Sequence, residues 1–178
     1  QNKRVKRLGR RNSRRTRDAE RLTVVEGVRE CERAIEASHL PVEAYVCAEL
    51  VAQSAEAEAV FAKLQALAAT EKTQLFEVTT AVFEKIAYRG QTGGLLLIVP
   101  YWDEPLAQVL TTERPFLAVV ENAQKPGNLG AILRTADGAG VTAVVSCRSP
   151  RHPSTDLFTP NVVRASLGTI FHKPVIST

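Results

Sequence analysis

The residues best suited to chemistry fall in two stretches near the end of the chain. The first, ENAQKPGNLGAILRTADGAG at residues 121–140, sets Asn128 six positions before Arg134. Pro126 and Gly127 predict a turn, Asn128 suits the N-cap of a helix, and Gly130 permits close backbone approach in the first turn. A helix start of this kind favours an anion or a ribose. The segment holds neither G-x-G-x-x-G nor G-K-[ST], which argues against dinucleotide and triphosphate binding. Taken alone, Asn128 as a plain cap and Arg134 as a surface cation explain the same text. The second stretch, PNVVRASLGTIFHKP at residues 160–174, puts Arg164 and Ser166 beside Gly168 among apolar Val162, Val163, Leu167, Ile170 and Phe171. Polar groups among buried neighbours need partners, and an ordinary core edge would read the same way.

The elements around these residues predict how they are positioned. Phe116–Val120 and Val141–Cys147 read as buried strands, with a glycine-containing loop at 121–130 and a helix-compatible stretch at 131–139 between them. Strand, loop, helix, strand is the pattern of a parallel βαβ unit, whose sites gather at the carboxyl ends of the strands. Earlier in the chain, Leu22–Ala37 carries apolar residues at helical spacing, predicting an amphipathic helix from about Glu26 or Gly27. A strand is expected at Val42–Cys47, a helix at Ser54–Ala69, an extended piece at Phe76–Val78 and a short helix at Thr80–Ala87. A buried strand, LLLIV, follows within Gly94–Pro100. This alternation predicts an α/β sandwich. Prolines at 100, 105 and 115 mark residues 101–114 as a linker between a domain at 1–100 and one at 115–178.

Charge is concentrated at the start. Residues 1–17 hold nine of the 23 Lys and Arg residues and no acid, leaving 14 basic against 19 acidic side chains elsewhere. A run of this kind releases counterions from a nucleic-acid backbone and gives salt-sensitive affinity without reading sequence. Arg10, Arg11, Arg14 and Arg15 are the candidate contacts, a solvated tail or an organelle-targeting leader being the plainer alternatives. Cys31, Cys47 and Cys147 are widely spaced and read as reduced, buried thiols. His39, His152 and His172 share no ligand spacing, so no metal is expected. No stretch approaches the roughly 18 apolar residues needed to span a bilayer, and no secretory signal opens the chain. The chain is therefore expected to be globular and cytoplasmic, organellar targeting staying open. Because it opens on Gln1 and contains no methionine, the natural start is expected upstream.

KPGNLGAILRTADGAGVTAVV and PNVVRASLGTIFHKPV together resemble the first two motifs of the SpoU (TrmH-like) branch of the SPOUT RNA methyltransferases, over nearly all of residues 116–175. NKRVKRLGRRNSRR, TVVEGVRE and FEKIAYRGQTGGLLLIV resemble, more loosely, the ribosomal-protein-like α/β domain commonly placed before that catalytic domain. The resemblance implies a small α/β RNA-binding domain followed by the first part of a parallel-sheet domain that ends in a deep trefoil knot, which neither composition nor periodicity shows. It implies transfer of a methyl group from S-adenosylmethionine to a ribose 2′-hydroxyl of RNA, rRNA ahead of tRNA, by a homodimer.

Carried onto this sequence, the resemblance makes Asn128 and Arg134 the catalytic positions and Arg164 and Ser166 RNA-contacting ones. Whether Arg134 acts as a base or as an electrostatic clamp stays open at this point, although a guanidinium protonated above about pH 12 offers no acceptor. The family's third motif, which forms much of the cofactor pocket, has no counterpart before Thr178. The cofactor-binding residues are therefore unassigned, and the natural protein is expected to continue. The alternatives are a non-enzymatic RNA-binding protein, an inactive remnant of the enzyme and a different anion-binding α/β protein.

Overall fold

Five consecutive apolar residues, Leu95 to Val99, suit a strand with neighbours on both edges and layers on both faces. The computed structural model, which describes residues 3–11, 13–88, 92–102, 105–111, 113–147 and 154–178, gives them that place. The chain divides into two compact units, Gln1–Tyr101 and Trp102–Thr178. In the first, β1 (Leu22–Glu26), β2 (Glu43–Val46), β3 (Gln74–Glu77) and β4 (Leu95–Pro100) form one sheet in the order β1-β4-β2-β3. β4 pairs antiparallel with β1 and β2, and β2 runs parallel to β3.

Side-chain alternation sends the two faces of this sheet to two different helix layers. Val24, Tyr45, Leu96 and Ile98 pack with Leu8 of α1 (Lys3–Arg10) and with Phe83 and Ile86 of α6 (Thr80–Ile86). On the opposite face α3 (Val28–Glu36) lies on β1 and β4 and against α5 (Ala55–Ala69). Buried Cys31 and Ala34 of α3 and buried Ala57, Val60 and Leu64 of α5 supply that layer. α5 begins where Ser54 caps it, the Ala57 amide donating to Ser54 Oγ at 3.3 Å. The short α4 (Ala48–Val51) connects β2 to α5, and α2 (Arg14–Glu20) leads into β1.

Two expectations change here. The helix expected from about Glu26 or Gly27 starts at Val28 with Gly27 as its N-cap, while Leu22–Glu26 ahead of it, where no strand is expected, pairs with β4 because its β-branched run Thr23–Val25 suits a strand. The basic start is also not a tail: it folds as α1 and α2, with Leu8 only 3% exposed in the core.

In the second unit β5 (Leu117–Glu121), β6 (Ala143–Cys147) and β7 (Val175–Ser177) form a parallel sheet in that order. α8 (Pro126–Gly138) connects β5 to β6. α9 (Pro160–Ala165) and a 3-10 turn at Thr169–Phe171 precede β7. Residues 101–114 are not a bare linker: α7 (Leu106–Val109) sits within them, and its Val109 is buried with Ala143, Val145 and Ile176. Trp102 meets Phe158 edge-on at 5.0 Å and Phe171 at 4.8 Å. The units divide at 101/102, just after Pro100, and Pro105 serves as the N-cap of this helix.

Candidate functional site

The second unit brings the two chemistry-bearing stretches together at one residue. Gly130 of α8 lies against the end of α9, where an added Cβ would come within 2.4 Å of the Ala165 carbonyl carbon. Glycine is therefore required for the approach of another backbone rather than of a ligand. Four residues on, and so on the same face of α8, the Arg134 guanidinium donates from Nη1 to the Ala165 carbonyl. That carbonyl is at the C-terminal end of α9, where helix carbonyls lack intrahelical donors and the dipole favours a cation. Arg134 nevertheless remains exposed, and a guanidinium has five N–H donors, so one bond to Ala165 anchors the fork without exhausting it.

Asn128 is exposed in the first turn of α8, not at its cap. Lys125 is the N-cap because Pro126 starts the helix: its fixed φ suits the first helical position, and its missing N–H would have had no partner there. Asn128 and Arg134 do not touch. Helix geometry sets them about 9 Å apart along the axis and roughly 120° apart around it, so a ligand the size of a nucleotide is needed to bridge them. Arg164 is half-buried in the last turn of α9, next to the Ala165 that holds Arg134. Ser166 is fully buried, and its hydroxyl donates to the Val163 carbonyl at 2.7 Å. Its assignment as an RNA contact is corrected: it finishes α9 from inside the core.

At the carboxyl end of β5, Asn122 adopts a left-handed conformation (φ 54°) and its amide donates to the Cys147 carbonyl at 3.0 Å. Asn122 Oδ1 is buried with no hydrogen-bond partner among the described residues. The loop that follows is tied to the segment before α9, the Thr155 amide donating to the Ala123 carbonyl at 2.7 Å. Sequence reasoning passed over Asn122 and Ala165, and the one advance signal for Asn122 was a turn-tolerant residue directly after a strand.

In the first unit the four candidate arginines separate. Arg10 and Arg15 are exposed, with no ion pair among the described residues. Arg14 pairs with Asp18 at 3.3 Å in an exposed i,i+4 bridge. Arg11 is 1% exposed and cannot reach an RNA. Its Nε meets Glu20 at 2.7 Å and its Nη1 meets Glu43 at 3.3 Å. Glu43 also accepts from the Tyr45 hydroxyl at 2.9 Å. Burial pushes the Glu20 carboxyl up, but hydrogen bonds from Arg11 and Arg7 outweigh it and hold the group below the usual carboxylate range. The acids that neutralise this arginine lie just after the run, at 20, and in β2, at 43.

All three cysteines are free, Cys31 and Cys47 buried and Cys147 half-buried. Burial, reinforced by the negative charges of Glu30 and Glu26, pushes the Cys31 thiol well up, which makes it a poor nucleophile. Among the described residues no cluster of His, Cys, Asp or Glu is arranged to hold a metal, and no helix is long and apolar enough to cross a membrane.

The comparisons with known proteins agree with this layout. The family profile described as MRM3-like substrate binding domain matches residues 2–97, and that of the SpoU rRNA Methylase family matches residues 115–178. Human rRNA methyltransferase 3, mitochondrial, is 40% identical over 63 residues, which are 35% of this chain and 14% of that protein. A crystal structure of an RNA 2′-O ribose methyltransferase is 32% identical with a TM-score of 0.76, covering 99% of this chain and 63% of that one. An AdoMet-bound rRNA methyltransferase from Sinorhizobium meliloti shares the fold at 24% identity and a TM-score of 0.80, over 99% of this chain and 61% of that one. The chain thus spans less than two thirds of the length of each of these relatives. Both matched segments and the α/β architecture with its parallel second sheet lead to one assignment: the chain carries an MRM3-like substrate binding domain at residues 2–97 followed, at residues 115–178, by a segment of the SpoU rRNA Methylase family.

Proposed function

We propose that this chain is part of an enzyme that methylates a ribose 2′-hydroxyl of RNA, with rRNA as the substrate class. The observation that carries the reading is Arg134: an exposed guanidinium on α8, fixed through the Ala165 carbonyl to the neighbouring motif helix, with Arg164 one residue away in the chain. A cation fixed in place but open to solvent suits a phosphate diester better than a folding role does.

S-adenosylmethionine, the cofactor named in the Sinorhizobium meliloti structure, supplies an electrophilic methyl on a sulfonium when bound. The buried, unpartnered Asn122 Oδ1 fits an amine or hydroxyl donor of such a nucleoside, and Asn122 would hold it. A ribose hydroxyl is a poor nucleophile at neutral pH, so it must be aligned and must lose its proton as the new C–O bond forms. Arg134 clamps the adjoining phosphate and stabilises the developing alkoxide, and Asn128 orients the ribose from the first turn of α8. The proton leaves to a phosphate oxygen or to water, because the guanidinium has no lone pair to accept it.

The first unit is assigned to RNA binding, with exposed Arg10, Arg14 and Arg15 among its contacts. The working assembly is proposed as a homodimer in the cytoplasm; an organelle is the second reading, favoured by the mitochondrial human relative. The test incubates the full-length protein with labelled methyl donor and rRNA, followed by alkaline digestion. Label in alkali-resistant dinucleotides supports the reading, and label confined to bases overturns it.

A further inference from the structure

The sheet of the first unit divides its surface charge. Among the described residues, the two stretches that lead onto one face, residues 7–20 and 80–86, present Arg7, Arg10, Arg14, Arg15 and Lys85 at the surface against Asp18, Glu20 and Glu84, a net +2. The helices on the opposite face, α3 and α5, present Arg29, Arg33 and Lys63 against Glu32, Glu36, Glu56 and Glu58, a net −1. On that acidic side Lys63 is held between Glu32 at 3.0 Å and Glu36 at 3.1 Å, so part of its positive charge is spent within the layer.

On the basic side α1 packs directly on α6. Exposed Arg10 of α1 and exposed Lys85 of α6 therefore lie in one layer, and Tyr88, 45% exposed, follows α6. Tyr88 is fixed at its backbone: its amide donates to the buried Glu26 carboxylate at 2.6 Å. Cations on one helix layer, with a backbone-anchored aromatic ring directly after one of its helices, are a combination that suits RNA phosphates and an unpaired base.

Resting on the RNA-methyltransferase reading, we infer that RNA is held on the α1/α6 face of the first unit, with Arg10 and Lys85 on phosphates and the Tyr88 ring against a base, and that the α3/α5 face stays clear of it. Glu84, exposed on α6, is the one acid on the RNA side of that helix, so its removal favours binding.

The experiment measures affinity of the full-length protein for a labelled stem-loop RNA with an unpaired loop, over a series of salt concentrations. Arg10→Gln with Lys85→Gln lowers affinity about tenfold at low salt and reduces the log–log salt slope by roughly 1.5, one phosphate being lost per cation. Tyr88→Leu lowers affinity roughly tenfold and leaves the salt slope unchanged, the mark of lost stacking rather than lost charge. Glu84→Gln tightens binding, and Arg33→Gln with Lys63→Gln leaves it unchanged. Equal losses from the two double variants, or a loss confined to the α3/α5 pair, overturn the face assignment while RNA binding itself stands. A wild-type protein that binds no RNA overturns the reading beneath it.

Discussion

Gly130 and Ala165 are in backbone contact: a Cβ built on Gly130 would be 2.4 Å from the Ala165 carbonyl carbon and 2.5 Å from its Cβ. In an open helix Gly→Ala gains up to about 1 kcal/mol from propensity alone. At Gly130 the new methyl must push α8 and α9 apart, and overpacking of this kind costs about 1–3 kcal/mol. Gly130→Ala is therefore expected to lower the Tm and to reduce methyl transfer, because Arg134 is anchored through the same contact. Gly138, in the same helix with nothing within 4 Å of its would-be Cβ, is the control: Gly138→Ala leaves the Tm unchanged or raises it. Thermal unfolding of the two variants side by side decides the matter.

The arginines of the basic run are expected to separate in the same way. Arg11→Ala leaves Glu20 and Glu43 without their shared cation and is expected to cost about 3 kcal/mol, the scale for breaking a buried pair. Arg10→Ala, at an exposed position, is expected to stay within about 0.5 kcal/mol. Urea titration reads both. Loss of RNA affinity on Arg11→Ala without loss of stability would contradict the structural role given to this residue.

Glu20 predicts an acid response. Its carboxyl is held below the ordinary range by hydrogen bonds from Arg11 and Arg7, which outweigh the upward push of burial. A depressed folded value means the stabilisation is fully present above the unfolded carboxylate value of about 4.3 and is lost as pH falls through the lower folded one. Glu20→Gln should therefore be less stable than wild type at neutral pH, and the gap should narrow as pH drops below about 4. Parallel stability curves for the two proteins from neutral pH to pH 3 would show that the pair contributes nothing.

The parts of the fold set by local pattern were open to reading. The buried run at 95–99, the Ser54-capped helix and the βαβ pattern around residues 117–147 all follow from periodicity and turn chemistry. Tertiary pairing decided the rest. The strand at Leu22–Glu26 was hidden because its valines share the helical spacing of the residues that follow, and it forms because β4 is there to pair with it. Arg11 looked like surface chemistry because nothing in a linear text brings Glu43 to it, whereas the apolar neighbours of Ser166 already allowed the core-edge place it occupies, and only the resemblance made it an RNA contact. Arg134 was singled out from its motif, but its anchor on Ala165 lies 31 residues away in sequence and is visible only once α8 and α9 pack.

Arg134 is proposed to serve the reacting ribose and not the fold. Its side chain is exposed and among the described residues makes one bond, to the Ala165 carbonyl, so Arg134→Ala is expected to cost no more than about 1 kcal/mol of stability. Lysine at the same position keeps the charge but cannot form the planar two-point contact with phosphate, and is expected to rescue weakly. The measurement is single-turnover transfer of labelled methyl to RNA by the full-length protein, with Tm and S-adenosylmethionine affinity recorded for each variant. Arg134→Ala is expected to lose at least a hundredfold in rate, on the scale of removing one preorganised donor, while Tm and cofactor affinity hold. Methylation by Arg134→Ala at the wild-type rate would contradict that role.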